Sequence, residues 1–401
     1  MPRTQIPTIR RLLLSTRILI IPYLIAYVVA GLDTQEELKQ KASALQDLRY
    51  YERAVNDTFQ GAGPYSVLAI GPGFLYPPPS LLIIEPIKAI HDEGMKERIV
   101  MSLNYLIIAT MVWGLIGYFK LSHREVWYWY ILGLWFAPFL ESAYLGQINV
   151  VPLAGLSLFF LFLTRRPLIA GAGLAIATFS KVSPGLFFLY ALLTRRWRAC
   201  AAAAMSSLVL CSLAALRYGV APFLEYPKLL AWLATQVTLG TNPQSFEARI
   251  VWLQQVTAAQ PEYFWWLSPL VLFCQDIFLH QRGLNWYLCG VILLSGILLY
   301  RSNNERHPSF VIFMLAMILA PNVMWYHHYT LMLLPLLIWM GHSQLSPRVV
   351  CWCLLGLFIM QIDRWQLTHG FLIHLFGHLS IITLLTQQVR RCILPSKLAK
   401  A

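Results

Sequence analysis

Charge is what this chain has least of. Asp, Glu, Lys and Arg make up 12% of its residues, where a soluble protein carries about 25%. That shortage excludes a chain whose surface is mostly in water. Nucleotide-driven chemistry has no foothold either. No P-loop, no GxGxxG and no GxSxG in a strand–turn–helix setting occurs, so an ATP-driven pump is not expected. No inverted repeat stands out to support a secondary transporter. The seven cysteines fall in no CxxC or metal-ligand spacing. Six lie in or beside apolar runs and Cys392 lies in the basic tail, so they read as small core residues. The "CWC" at 351–353 is no zinc site.

What is abundant is apolar surface. Hydrophobic residues make up 58% of the chain, in runs that recur along almost its whole length. The fold class is therefore an all-α polytopic membrane protein, a single membrane-embedded domain over 1–401. The net charge is +13. Its Lys and Arg residues sit in short loops between apolar runs, which signals orientation rather than nucleic acid. The same excess favours anionic headgroups or a phosphate-bearing lipid as partner. In "ACAAAAMSS" (199–207) the small residues suit close helix packing in a membrane.

The run Leu12–Leu32 follows Arg3, Arg10 and Arg11 and is expected to stay as an anchor. Segment 33–79 is then a first exported loop, ending in the Gly- and Pro-rich 61–80. "SLLIIEPIKAI" (80–90) is too short to span and is interrupted at Glu85-Pro86, so it reads as interfacial. Spans follow at Ile99–Phe119 and Val126–Leu140. Then come the runs Val150–Leu163, Leu168–Phe179 and Gly185–Leu193, and "TRRP" and "TRRWR" place their ends inside. The last two runs form a hairpin with "SKVSP" (180–184) at its tip, tolerated at depth only if buried or facing a wet cavity. After Ala199–Leu216 comes a second long exported segment, 218–282. Its part 261–283 reads either as interfacial or as a span. Later spans lie near 285–300, 309–320, 325–340, 347–365 and 371–388. The total is about ten to thirteen helices, several short or re-entrant, with exported-side amphipathic helices and both termini inside a plasma membrane.

This arrangement sends the unusual polar stretches to one outer face. Those stretches are "QDLRYYERAVND" (46–57), "LYPPP" (75–79), "YLGQIN" (144–149), "SKVSP", "TNPQS" (241–245) and "WYHHY" (325–329). In the first, Asp47 shares a helix face with Tyr50, Tyr51 and Ala54, while Arg49, Glu52 and Arg53 lie elsewhere. The run as a whole reads as a solvated amphipathic helix on the membrane surface, with Asp47 as the exception. An acid near an apolar surface can also serve as a general base, and Asp57 is nearly as good a candidate as Asp47. Lys181 is an ionisable residue at membrane depth, suited to a lipid phosphate or to snorkelling. Gln147 and Asn149 could hold sugar hydroxyls or a phosphate, or cap the following helix. His327 and His328 lie in an aromatic belt; adjacent histidines are not a helical metal pair.

The ordered set "DLRYYERAVNDTFQGAGPY" (47–65), "YPPPSLL" (76–82), "GQIN" (146–149), "AGAGLAIATFSKVSP" (170–184), "LLTRRWRA" (192–199), "NPQSFEARI" (242–250) and "PNVMWYHHYTLMLLP" (321–335) resembles the glycosyltransferase family 87 membrane enzymes. The resemblance covers most of the chain, in order. It implies a C-type glycosyltransferase architecture with the site on the exported face. It also implies a polyprenyl-phosphate sugar donor and inversion of configuration. In that pattern the acid opening "D-x-x-x-Y" maps to Asp47, with Tyr51 four residues on; the lysine after the short helix maps to Lys181 and the W-x-H histidine to His327. The resemblance separates Asp47 from Asp57, which has no counterpart. The triple proline Pro77–Pro79 is longer than the family's usual pair.

The expected chemistry is that Asp47 deprotonates a lipid or glycan hydroxyl as it attacks the anomeric carbon. The leaving polyprenyl phosphate is held by Lys181 and His327, with His328, Gln147, Asn149 and Tyr76 orienting sugar or phosphate. Tyr51, Tyr65, Asn242 and Trp325 serve acceptor binding or positioning. No cofactor, metal or nucleic acid is called for, because the leaving group is already a phosphate monoester. A flippase for lipid-linked sugars would use similar groups but place them on both faces.

Overall fold

The computed structural model describes residues 6–65, 73–121, 123–235, 306–319, 326–343, 346–362 and 371–393, with isolated helical positions at 255, 290 and 294. Asn242, Trp325, segment 261–283 and all but positions 290 and 294 of the run near 285–300 lie outside these residues. All regular structure among them is helical.

The first apolar run lies in α1 (Ile6–Lys41), which continues through the charged residues 33–41 that the sequence assigns to a loop. Then come α2 (Gln46–Phe59), a 3₁₀ turn (Pro78–Ser80) and α3 (Leu81–Lys88). Pro86 sits inside α3 without breaking it, because the helix ends two residues later and only one ladder bond is forfeited. Helix α4 (Glu93–Phe119) opens six residues earlier than expected, where the Asp92 carboxylate accepts from the Met95 amide at 2.5 Å.

The expected span 126–140 is two helices, α5 (His123–Leu134) and α6 (Ala137–Tyr144). Pro138 forces the break, since it has no N–H to return to Leu134 O and its ring would clash with that carbonyl, so it sits in the first turn of the new helix. A broken helix survives at this depth only if its freed backbone groups find partners. Gln361 supplies them: its Nε2 donates to Trp135 O at 2.9 Å and Tyr27 O at 3.0 Å, and its Oε1 accepts from the Ala137 amide at 2.6 Å.

Next are α7 (Val150–Phe162), α8 (Pro167–Ser180), a 3₁₀ turn (Ser183–Gly185), α9 (Leu186–Leu193), α10 (Trp197–Tyr218) and α11 (Ala221–Thr235). The short helices α8 and α9 reverse the chain at 180–185 as expected, but each packs on α10 more than on the other. The described part ends with α12 (Arg306–Leu319), a 3₁₀ segment (Tyr326–Met332), α13 (Leu333–His342), α14 (Pro347–Ile362) and α15 (Phe371–Ile393). Among the described residues two helices, α4 and α10, are long and apolar enough to cross a membrane; α7, α8 and α12 are among the shorter apolar ones.

Small residues draw α7, α8 and α10 together. A Cβ on Gly155 would lie 2.4 Å from Gly173 O, and one on Gly171 would lie 2.5 Å from Ala202 Cβ. Ala199, Ala202 and Ala203 are buried there, so the alanine run packs as its composition predicts. Gly155→Ala must push α8 away, an overpacking cost of about 1–3 kcal/mol. The expected result is a lower unfolding temperature in detergent. Gly117→Ala, which meets nothing within 4 Å, is expected to leave it unchanged or slightly raised.

Two cores result. The larger fills the helix bundle. The smaller joins α2, the 73–84 stretch and the far end of α10 through Leu48, Tyr51, Val55, Phe74, Tyr76, Leu81 and Tyr218. Glu85 clamps this cap to α10, accepting from Tyr218 Oη at 2.6 Å and pairing with Arg217 at 2.5 Å.

Candidate active site

The site forms where the cap meets the bundle. Helix α2 hangs from the end of α6 by backbone bonds: Leu45 N donates to Tyr144 O at 2.8 Å and Asp47 N to Leu145 O at 2.9 Å. The turn from α6 into α7, on which α2 rests, needs Gly146, whose φ is +72° and whose Cβ would lie 2.8 Å from Leu48 Cβ. This stitching puts the first turn of α2 beside "GQIN".

Gln147 is the hub. Its Oε1 accepts from Tyr51 Oη at 2.6 Å and Tyr76 Oη at 2.6 Å, and its Nε2 donates to the Asp47 carboxylate. The two phenols, donors here, fix which end of the amide faces the acid. The hydroxyls of Tyr51 and Tyr76 are 3.1 Å apart, and Tyr65 Oη donates to Tyr76 O at 2.9 Å. Tyr65 thus supports Tyr76 rather than meeting the acid.

Asn149 heads α7 but makes no side-chain cap. Its amide instead joins three other parts of the chain: Nδ2 donates to Ser142 Oγ at 3.2 Å and His327 O at 3.3 Å, and Oδ1 accepts from Lys181 Nζ at 3.1 Å. The cap reading of Asn149 is therefore replaced by a bridging one. Lys181 closes α8 at the chain reversal. His327 and His328 are 5% and 6% exposed, so they lie within the protein rather than in an interfacial belt. Their rings meet at 4.7 Å, and Lys181 is near enough to bear on His328.

One participant escaped the sequence reading. Glu141, on α6, lies 3.5 Å from His327 Nδ1 and acts on Asp47. The signal was available, an acid inside the apolar "APFLESAY". It was missed because the expected span ended at Leu140, one residue short. A second correction concerns the charge run on α2. Glu52 is not part of a solvated face: it pairs at 2.8 Å with Lys96, which is buried on α4 and also meets Glu93. Asp57 lies toward the other end of α2, 3.9 Å from Arg53.

Burial raises the pKa of Asp47 above the ordinary carboxylate value. The charge of His327 and the Gln147 hydrogen bond oppose that rise, and Glu141 adds to it. A raised pKa suits a base that must take a proton and later release it. Gln147→Leu removes a donor that favours the ionised form, so the Asp47 pKa should climb further. The acid limb of kcat/KM against pH is then expected at higher pH than in the native chain. An unmoved limb would mean that Asp47 does not govern it.

Fold and cluster together define an integral membrane protein with its polar site at one end of the helices. The sequence profile of glycosyltransferase family 87 matches residues 74–335, and the chain belongs to that family. It is 27% identical over 254 residues to a polyprenol-phosphate-mannose-dependent alpha-(1-2)-phosphatidylinositol pentamannoside mannosyltransferase of Mycolicibacterium smegmatis, covering 62% of this chain and 56% of that protein. The chain thus spans little over half the length of that relative. The family match takes in Tyr76, Glu141, Gln147, Asn149, Lys181 and His327; Asp47 and Tyr51 precede it.

Proposed function

We propose that the chain transfers a sugar, mannose or another hexose or pentose, from a polyprenyl phosphate to a hydroxyl of a lipid or glycan on the exported face of the plasma membrane. An acceptor oxygen bonds to the anomeric carbon as the bond from that carbon to the phosphate oxygen breaks. The acceptor proton goes to Asp47, and the electron pair leaves with the polyprenyl phosphate. Attack from the Asp47 side, opposite the departing phosphate, inverts the anomeric centre. Lys181, with His327 and His328 beside it, offsets the charge on the leaving phosphate. Tyr51 and Tyr76 hold the Gln147 amide that orients the base. We propose the same membrane-embedded domain for the whole chain, with both termini on the opposite face and no metal in the reaction.

One observation carries this reading. A half-buried carboxylate on Gln147 and an ammonium on Asn149 converge from separate parts of the chain, as a base and a phosphate contact must. The relative's named donor supports the lipid phosphate. The test is transfer by purified protein in detergent, where transport cannot register. It is offered labelled polyprenyl-phosphate mannose, arabinose and glucose with a membrane lipid extract. Label passing to an acceptor is the expected result. Label remaining on every donor, with folded protein, would overturn the reading and favour a flippase.

A further inference from the structure

The end of α7–α10 remote from the site is strongly basic. Arg165, Arg166, Arg195, Arg196 and Arg198 gather there, and no Asp or Glu occurs anywhere from 142 to 224. Arg306, from α12, reaches the same end and donates to Thr164 Oγ1 at 3.1 Å and to Tyr118 Oη; Arg166 lies over the Phe162 ring. Between α8 and α10 a groove of about 850 Å³ opens at this end, within the range of a ligand site. Arg166 and Arg198 border it, Ala202 forms its buried floor, and Leu168, Ala201 and Met205 line it.

The groove's apolar wall is exposed and lies along α10, one of the helices long and apolar enough to cross a membrane. Leu168 is 74% exposed and Met205 61%, continuing along α10 into exposed Leu208 and Val209. An occupant therefore needs an apolar chain to lie on this wall and an anionic head to meet two arginines. A free anion satisfies only the second demand and a neutral lipid only the first. We propose that this groove binds an anionic phospholipid, its phosphate between Arg166 and Arg198 and an acyl chain along Leu168, Ala201 and Met205. The 14 residues of α8 separate it from Lys181 by about 20 Å, so it is distinct from the sugar-transfer site and does not depend on that assignment.

The test uses the full chain in detergent, with retained lipid measured by native mass spectrometry against added dioleoylphosphatidylglycerol or dioleoylphosphatidylcholine. The glycerol lipid is expected to be retained selectively. Arg166→Gln with Arg198→Gln should weaken that retention about thirtyfold, given about 1 kcal/mol for each basic residue at a lipid surface. Ala201→Leu, which fills the tail path while keeping both arginines, should also weaken it. Arg165→Gln with Arg196→Gln removes equal charge outside the groove and should leave it intact. Equal loss in that control, equal retention of the two lipids, or full displacement by excess inorganic phosphate would each overturn the proposal.

Discussion

Asp47→Asn is expected to lower sugar transfer by about 10²–10⁴-fold, the usual contribution of a general base, while donor binding and folding stay near native. The asparagine keeps the shape and can still accept from Gln147 Nε2, so the hub survives and only proton uptake is lost. The measurement is single-turnover transfer at saturating donor, with donor affinity taken separately. Glu141→Gln is the matching arm. Glu141 lies within the family-matched stretch, unlike Asp47, and is the other carboxylate near His327. Full activity in Asp47→Asn alongside collapse in Glu141→Gln would move the base to Glu141.

Lys181→Met should act on the donor. A hydrogen bond to a charged group is worth about 1.5–3 kcal/mol, or about 10–200-fold in affinity. The methionine keeps an apolar stem of similar length, and Asn149 retains Ser142 and the His327 carbonyl as partners. A raised KM for donor is therefore expected, with a smaller fall in kcat. Unchanged donor affinity would remove Lys181 from the phosphate site. Arginine should not restore it fully, because a planar fork does not replace a compact ammonium.

Several parts of this site were legible from residue patterns. Asp47 and Tyr51 occupy adjacent turns of one helix, so their shared face follows from helical spacing. Lys181 stands out because a lone ammonium between two apolar runs is costly without a partner. The chain reversal around it followed from two runs too short to span, the pair flanked by one arginine cluster before and one after. What was not legible depends on contacts far apart in sequence. Nothing near Pro138 announces that Gln361, 224 residues beyond Ala137, will satisfy the broken helix; without that partner a continuous span was the better expectation, and Glu141 was lost with it. The burial of Glu52 likewise depends on Lys96, and a charge run carries no mark of which member has a distant counter-ion. Asn149 precedes a helix as a cap would, and only the approach of the α8 tip turns it toward Lys181.

Gln147 and Asn149 are two positions apart in the chain. One grips the acid and the other the ammonium, so the backbone between them is a ruler. Its two steps can extend no further than about 7 Å, however the surrounding helices shift. Inserting a residue after Ile148 would lengthen that ruler by one step and turn one amide away from its partner. One of the two grips would then be lost, and with it the fixed spacing between the acid and the ammonium.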